Sequence, residues 1–227
     1  MSPLQSLISS PGTRKRIQRN DEVRPAVSDG PKDFHPSGVR GKAAAPNYCP
    51  APFYFVQTAP NGDIRIPCWS SDPATLGDLM LKVLAAFPAD VSVLIKTRVE
   101  DGSAEDPWRR FHGYCSKKAV EHVLIRFREF LLRDSTHQFL VRNTDSGEYF
   151  ALDDYGVLWL YPNDRSIEGL LKSMGFEDKA QELIYERGCW KYTPGNSEQK
   201  RQELIDFLLL SDVESAESGD IPKERSH

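Results

Sequence analysis

The 227-residue sequence lacks the short motifs that mark the most common enzyme classes. It has no GxxxxGK[ST] or GxGxxG motif to hold phosphate groups, no GxSxG nucleophile elbow and no HExxH zinc motif. These absences lower the expectation of Walker-type NTPase, dinucleotide, serine hydrolase and zinc protease chemistry. They do not exclude rarer kinds of enzyme.

Long apolar runs and cysteines are also scarce. No stretch approaches the ~20 apolar residues that cross a bilayer, and the N-terminus has no continuous apolar segment typical of a secretory signal. Cys49, Cys68, Cys115 and Cys189 form no CxxC pair, and no Asn-x-Ser/Thr acceptor occurs. We therefore expect reduced, mostly buried thiols in a cytoplasmic protein that binds no membrane.

The charge is unevenly distributed along the chain. The net charge of −4 argues against capture of nucleic acid by the chain as a whole. Residues 1–50 hold eight Lys or Arg and four Asp or Glu, and 8 of the 16 prolines lie in the first 52 residues. Residues 1–50 are therefore predicted to be a disordered basic arm, and residues 212–227 an acidic tail. The globular domain is residues 51–211.

The first part of this domain predicts a hairpin, a helix and two strands. Two β-rich runs flank Asn61-Gly62, a strong hairpin signal. Asp72-Pro73 predicts the N-cap and first position of a helix that stops at Pro88, and a strand follows through about Val99. Residues 100–106 are expected to be a loop, before a short strand at WRRFHGYC. The predicted apolar face of the helix consists of Leu76, Leu79, Met80, Val83, Leu84 and Phe87.

The second part predicts one long helix, three strands and further short elements. The helix covers residues 117–133, and FLVRNTDSGEYFALDDYGVLWLYP (139–162) predicts three consecutive strands. A short helix follows and ends at Gly175. Residues 182–192 are ambiguous; a helix to about Ile184 and then a strand is preferred. Asn196 or Ser197 caps a last helix whose inward residues are predicted to be Leu204, Ile205, Leu208 and Leu209.

These elements predict an α+β fold, with an antiparallel or mixed sheet and three to five helices between disordered N- and C-terminal tails. Residues of about 51–115 and 116–211 share a hairpin, helix and strand layout. An internal duplication and ordinary α+β construction both account for that similarity.

Three residues form the best candidate for a metal site. His112, Cys115 and His122 could supply three zinc ligands and leave one position for water. The spacing is awkward because His122 lies inside the predicted helix and the other two precede it. A buried Cys115 with histidines at the surface or the edge of the core is the favoured interpretation, so neither a metal nor another cofactor is predicted.

Carboxylates and thiols offer weaker catalytic candidates. Asp153 and Asp154 could form an acid/base pair or a hard-cation site, but Asp-Asp-x-Gly between strands is more simply a turn. Cys68 or Cys189 could act as a nucleophile with His112, His122 or His137. Both cysteines stand next to tryptophans, which favours burial over reactivity. No catalytic residue is predicted.

Basic residues are the candidates for nucleic-acid binding. Residues 13–19 hold four cations, and Arg109, Arg110, Arg126, Arg128 and Arg133 lie in the body. A solvated basic patch is the favoured interpretation, so nucleic acid is expected as a partner only through residues 13–19.

Aromatic residues are numerous and several alternate along strands. In the VLWLY segment, Val157, Trp159 and Tyr161 must share one strand face and Leu158 and Leu160 the other. Core packing is the default interpretation, and a partner-binding surface is the alternative. The aromatic set consists of Tyr54, Trp69, Trp108, Tyr149, Tyr155, Trp159, Tyr161, Trp190 and Tyr192.

Taken as a whole, the sequence favours a non-catalytic intracellular module that binds another protein. An inhibitor, an immunity-type protein and a regulatory binding protein are concrete versions, and a basic partner would suit the acidic body. A metal-dependent enzyme with an unobvious site is the first alternative. Nucleic-acid binding through the basic arm is the second.

Overall fold

The computed structural model describes residues 51–98, 108–181, 183 and 189–213, and the backbone of two short segments in residues 1–50. Of residues 189–192 it describes the backbone only. The rest of the predicted basic arm, the loop at 100–106 and nearly all of the acidic tail lie outside the described residues, as does the ambiguous helix before Ile184.

The described residues form five helices and thirteen strands, which confirms the α+β class. The helices are α1 (Pro73–Ala85), α2 (Lys117–Arg126), α3 (Arg128–Arg133), α4 (Ile167–Ser173) and α5 (Ser197–Phe207). The strands are β1 (Arg24–Pro25), β2 (Val39–Gly41), β3 (Phe53–Tyr54), β4 (Gln57–Thr58), β5 (Ile64–Trp69), β6 (Asp90–Arg98), β7 (Trp108–Ser116), β8 (His137–Asn143), β9 (Tyr149–Leu152), β10 (Leu158–Tyr161), β11 (Glu177–Asp178), β12 (Cys189–Thr193) and β13 (Ser211–Asp212).

Ten of these strands form the main sheet. Its order is β11-β3-β5-β10-β9-β8-β6-β7-β13, with β4 paired to β5, and only the β11–β3 pair is parallel. The smaller sheet has the order β1-β12-β2. The β8–β10 meander stands between β5 and β6, so the two similar halves share one sheet. Their possible duplication stays a prediction.

The predicted turns and the cap of α1 are present, whereas Asn196 stands at the start of α5 without a capping hydrogen bond from its side chain. Gly62, Gly147, Gly156 and Gly175 all have positive φ, the backbone region that glycine tolerates best. The Asp72 side chain accepts hydrogen bonds from the amides of Ala74 and Thr75 at the start of α1. All six residues of the predicted apolar face are buried, five of them on α1 and Phe87 just after its end. Local sequence therefore determines these elements.

The prediction of a single helix for residues 117–133 is wrong, because the structure has two helices there. The structure divides it at Phe127, whose φ of −103° and ψ of 13° are not helical. Hydrogen bonds from Phe127 to Val123 and from Leu131 to Phe127 still cross the break. The change of direction buries Leu132 together with Phe130 and Leu131, which a straight helix would place on different faces.

All five helices pack against one face of the main sheet, which we call the covered face. Val93 of β6, Val141 of β8 and Phe150 of β9 are completely buried there. The opposite side is called the second face. A smaller apolar cluster lies at its β3–β5 end and consists of Phe53, Trp69, Val157 and Leu183.

Candidate functional site

The three candidate zinc ligands have separate surroundings. His112 Nε2 lies 2.9 Å from Ser92 Oγ, and buried Cys115 donates to the carbonyl oxygen of Leu208. The exposed His122 ring stacks on Phe207 at a centroid distance of 5.1 Å. The part of the chain that the structure describes contains no group of three or more His, Cys, Asp and Glu side chains placed to hold a metal ion.

Asp153 and Asp154 form the turn that the sequence favours. Asp153 accepts hydrogen bonds from the amides of Tyr155 and Val157 and from the indole nitrogen of Trp159. Asp154 accepts from the side-chain nitrogen Nε2 of Gln138. Burial and the neighbouring Asp154 charge raise the pKa of Asp153 to about 6, although its hydrogen bonds oppose that rise. The carboxylates are therefore engaged in holding the β9–β10 turn.

Cys68 is unsuited to nucleophilic chemistry. Its thiol is fully buried on the covered face, and burial raises its pKa. The side chain of Cys189 lies outside the described residues. Cys68 and Cys115 are free thiols, in agreement with the expectation of buried, reduced cysteines.

The basic residues of the body have different local partners. Arg109 forms an ion pair with Asp212, Arg128 with Asp78 and Arg133 with Glu129. Arg110 donates to the carbonyl oxygen of Trp108. The basic segment at residues 13–19 lies outside the described residues.

A buried polar cluster at the start of α5 is absent from the sequence predictions. Asp134 accepts hydrogen bonds from the hydroxyls of Ser197 and Thr136, and its carboxylate lies 3.6 Å from Nδ1 of His137. Burial alone would raise the pKa of Asp134, but His137 and the two hydroxyls outweigh burial and lower it to about 2. The one signal in the sequence is Asp134-Ser135-Thr136, a pattern typical of a side-chain turn.

This cluster does not have the geometry of a hydrolytic triad. In a triad the serine hydroxyl bonds the histidine, which then takes its proton. Here the Ser197 hydroxyl donates to the carboxylate, and His137 is buried against the ring of Phe130 at 4.8 Å. The cluster fixes α5 to the β8 end of the sheet.

An apolar surface remains exposed where α2 and α5 meet. Ile125 of α2 is 62% exposed, Phe207 of α5 is 39% exposed and Leu209 is 85% exposed. The guanidinium of Arg126 lies 5.9 Å from the Phe207 ring centroid. We call this region the α2–α5 surface; it consists of Lys118, Glu121, His122, Ile125, Arg126, Phe207 and Leu209.

The sequence prediction that Leu209 packs inward is wrong. The amides of Leu209 and Leu210 bond to the carbonyl oxygens of Asp206 and Ile205, which is the Schellman pattern at a helix C-terminus. This pattern places Leu209 at φ 53°, the one positive φ of a non-glycine residue among the described residues. The turn directs Leu209 into solvent and returns Leu210 to the core. Glycine is the usual residue at such a position.

The structure shows which residues of the VLWLY segment are buried and which are accessible. Leu158 and Leu160 are buried on the covered face, and Val157 is buried in the smaller cluster. Trp159 and Tyr161 are half-buried on the second face. There Tyr161 stacks on Tyr149 with centroids 4.1 Å apart. Core packing therefore accounts for Val157, Leu158 and Leu160, and a partner-binding role for Trp159 and Tyr161 stays a prediction.

No family model, curated protein or solved structure matches the chain. Among the described residues, none of the helices combines the length and the apolar character needed to cross a membrane.

Proposed function

We propose that the chain is a non-catalytic protein-interaction module that pairs with a second copy of itself through the α2–α5 surface. The observation that carries this proposal is Leu209. We further propose that the protein acts in the cytoplasm, which suits the buried free thiols of Cys68 and Cys115.

Leu209 is unfavourable for the isolated chain in two respects. An L-residue in the left-handed region costs about 1–2 kcal/mol, which glycine avoids. Its side chain is also 85% exposed, so it gains little apolar burial within the chain. Local violations of this kind concentrate at functional positions. A partner that buries Leu209 would account for both features.

The charges on α2 favour a second copy as that partner. The exposed charged residues of α2 include both signs: Lys118, Glu121 and Arg126. Consider two α2 helices that pack antiparallel about a twofold axis between Val123 and Leu124. Glu121 then faces Arg126, and His122 faces Ile125. An isologous interface needs this kind of self-complementary surface.

Sedimentation equilibrium over a concentration series tests the proposal. The wild-type chain should show a monomer–dimer equilibrium. Leu209→Gly and Leu209→Ala should both shift it towards monomer because each removes the exposed side chain. Lys82→Ala, an exposed position on α1, is the control and should sediment like the wild type.

The free energy of unfolding distinguishes a variant that loses only the interface from one that loses the fold. Leu209→Gly should raise the monomer's free energy of unfolding by about 1 kcal/mol because glycine relieves the left-handed backbone. Leu209→Ala keeps that backbone cost and should not be stabilising. A wild-type chain that stays monomeric at every concentration, or a Leu209→Gly variant that dimerises normally, contradicts the proposal.

A further inference from the structure

The α2–α5 surface contains an imidazole beside its apolar residues. His122 is exposed on α2, and its ring stacks on that of Phe207 of α5 with the two planes within 18°. Histidine is the side chain that ordinarily gains its charge between pH 8 and pH 5. We propose that protonation of His122 separates the two copies of the chain, an inference that rests on the proposed self-association and makes it sensitive to acid.

The twofold axis places the two His122 residues close to each other. A residue near such an axis lies beside the same residue of the second copy. His122 lies next to the proposed axis, which passes between Val123 and Leu124. At 1.5 Å per residue, the two copies of His122 are about 4.5 Å apart along the antiparallel helices. Two neutral imidazoles can pack at that separation, whereas two protonated ones repel each other.

The cations beside His122 on α2 add to this repulsion. Lys118 stands four residues before it and Arg126 four residues after it, and residues at this spacing are neighbours on a helix surface. The guanidinium of Arg126 lies 5.9 Å from the centroid of the Phe207 ring, on which His122 also stacks. A protonated His122 therefore adds a third positive charge to this part of α2.

The acidic groups near His122 already have other partners. On α5, Glu203 and Asp206 bond to side chains of their own helix. On α2, Glu121 is exposed and stands level with Arg126 of the second copy in the antiparallel pairing. These carboxylates therefore offset the added charge only in part.

Burial of the ring between the two copies also opposes protonation. His122 stands level with Ile125 of the second copy, and an aliphatic side chain accepts no hydrogen bond. A charged group that loses water without gaining a partner is unfavourable, whereas the neutral ring has a much smaller cost. The pair of chains therefore favours neutral His122, and by linkage acid favours the separate chains.

Sedimentation equilibrium of the full chain at about pH 7.5 and about pH 5.5 tests the proposal. The dissociation constant of the wild type should be about tenfold higher at the acid pH. His122→Gln is neutral at both pH values, so its two dissociation constants should agree whatever its affinity. His122→Arg is charged at both, so it should pair at about pH 7.5 as weakly as the wild type does at about pH 5.5.

His112→Gln is the matched control, because His112 bonds to Ser92 outside the α2–α5 surface. This variant should keep the wild-type ratio of dissociation constants, and circular dichroism at both pH values should show that the separated chains stay folded. A wild type that pairs equally well at both pH values overturns the acid sensitivity alone. So does a His122→Gln variant that keeps the wild-type ratio. A wild type that is monomeric at about pH 7.5 overturns the self-association and this inference together.

Discussion

The covered face of the main sheet and the molecule's exposed surfaces follow different rules. On the covered face, the predicted apolar residues of α1 and the inward residues of β6, β8 and β9 are all buried. On the second face and the α2–α5 surface, large rings and Leu209 stay accessible beside charged groups. Burial within the folded chain accounts for the residues of the first region. The second holds features that folding does not explain, and the proposed self-association depends on those of the α2–α5 surface.

Neighbouring residues on β8 should show this contrast most strongly. Phe139 is completely buried on the covered face, whereas Leu140 is half-buried on the second face. Phe139→Ala should lower the free energy of unfolding by about 3–5 kcal/mol because it leaves a cavity. Leu140→Ala should cost clearly less. Urea unfolding of both variants measures the difference, and equal losses would show that the second face is as tightly packed as the covered one.

Two buried aspartates, Asp134 and Asp153, should make the stability of the fold depend on pH in opposite directions. Asp134 has a pKa of about 2, below its usual value of about 3.9 in an unfolded chain. Its contribution to stability, about 2–3 kcal/mol, is present above that usual value and is lost as the pH falls through 2. Asp153 has a pKa of about 6, so its contribution is present at acid pH and is lost as the pH rises through 6.

The free energy of unfolding measured from about pH 2 to 7 tests both signs. Asp134→Asn should remove the loss at the acid end, and Asp153→Asn should flatten the profile between about pH 4 and 6. The two effects should be similar in size because the net pKa shifts of Asp134 and Asp153 are similar and opposite in direction. These assignments are contradicted if Asp134→Asn changes the profile between about pH 4 and 6, or if Asp153→Asn changes the loss of stability at the acid end.

Local sequence signals predict much of the fold. The Asn61-Gly62 turn, the Asp72-Pro73 helix start and the turns at Gly147 and Gly156 depend on neighbouring residues, and the structure contains each of them. The insertion of β8–β10 between β5 and β6 depends on pairing between distant segments. Local periodicity has no information about that order.

The candidate surfaces are harder to predict for the same reason. Alternation in VLWLY separates Trp159 from Leu158, but only the positions of the helices decide which face is covered. Four apolar residues at the end of α5 fit one inward face on spacing alone. The Schellman turn reverses that prediction for Leu209, and a leucine in place of the usual glycine gives no signal of it.

A charge-reversal cycle on α2, followed by sedimentation equilibrium, tests the proposed self-association most directly. Glu121→Lys and Arg126→Glu should each weaken the dimer because like charges then meet at two symmetry-related contacts. The double variant restores opposite charges and should recover the dimer. Recovery is the result that the antiparallel pairing predicts. A double variant as weak as either single variant, with its fold intact by thermal unfolding, would contradict it.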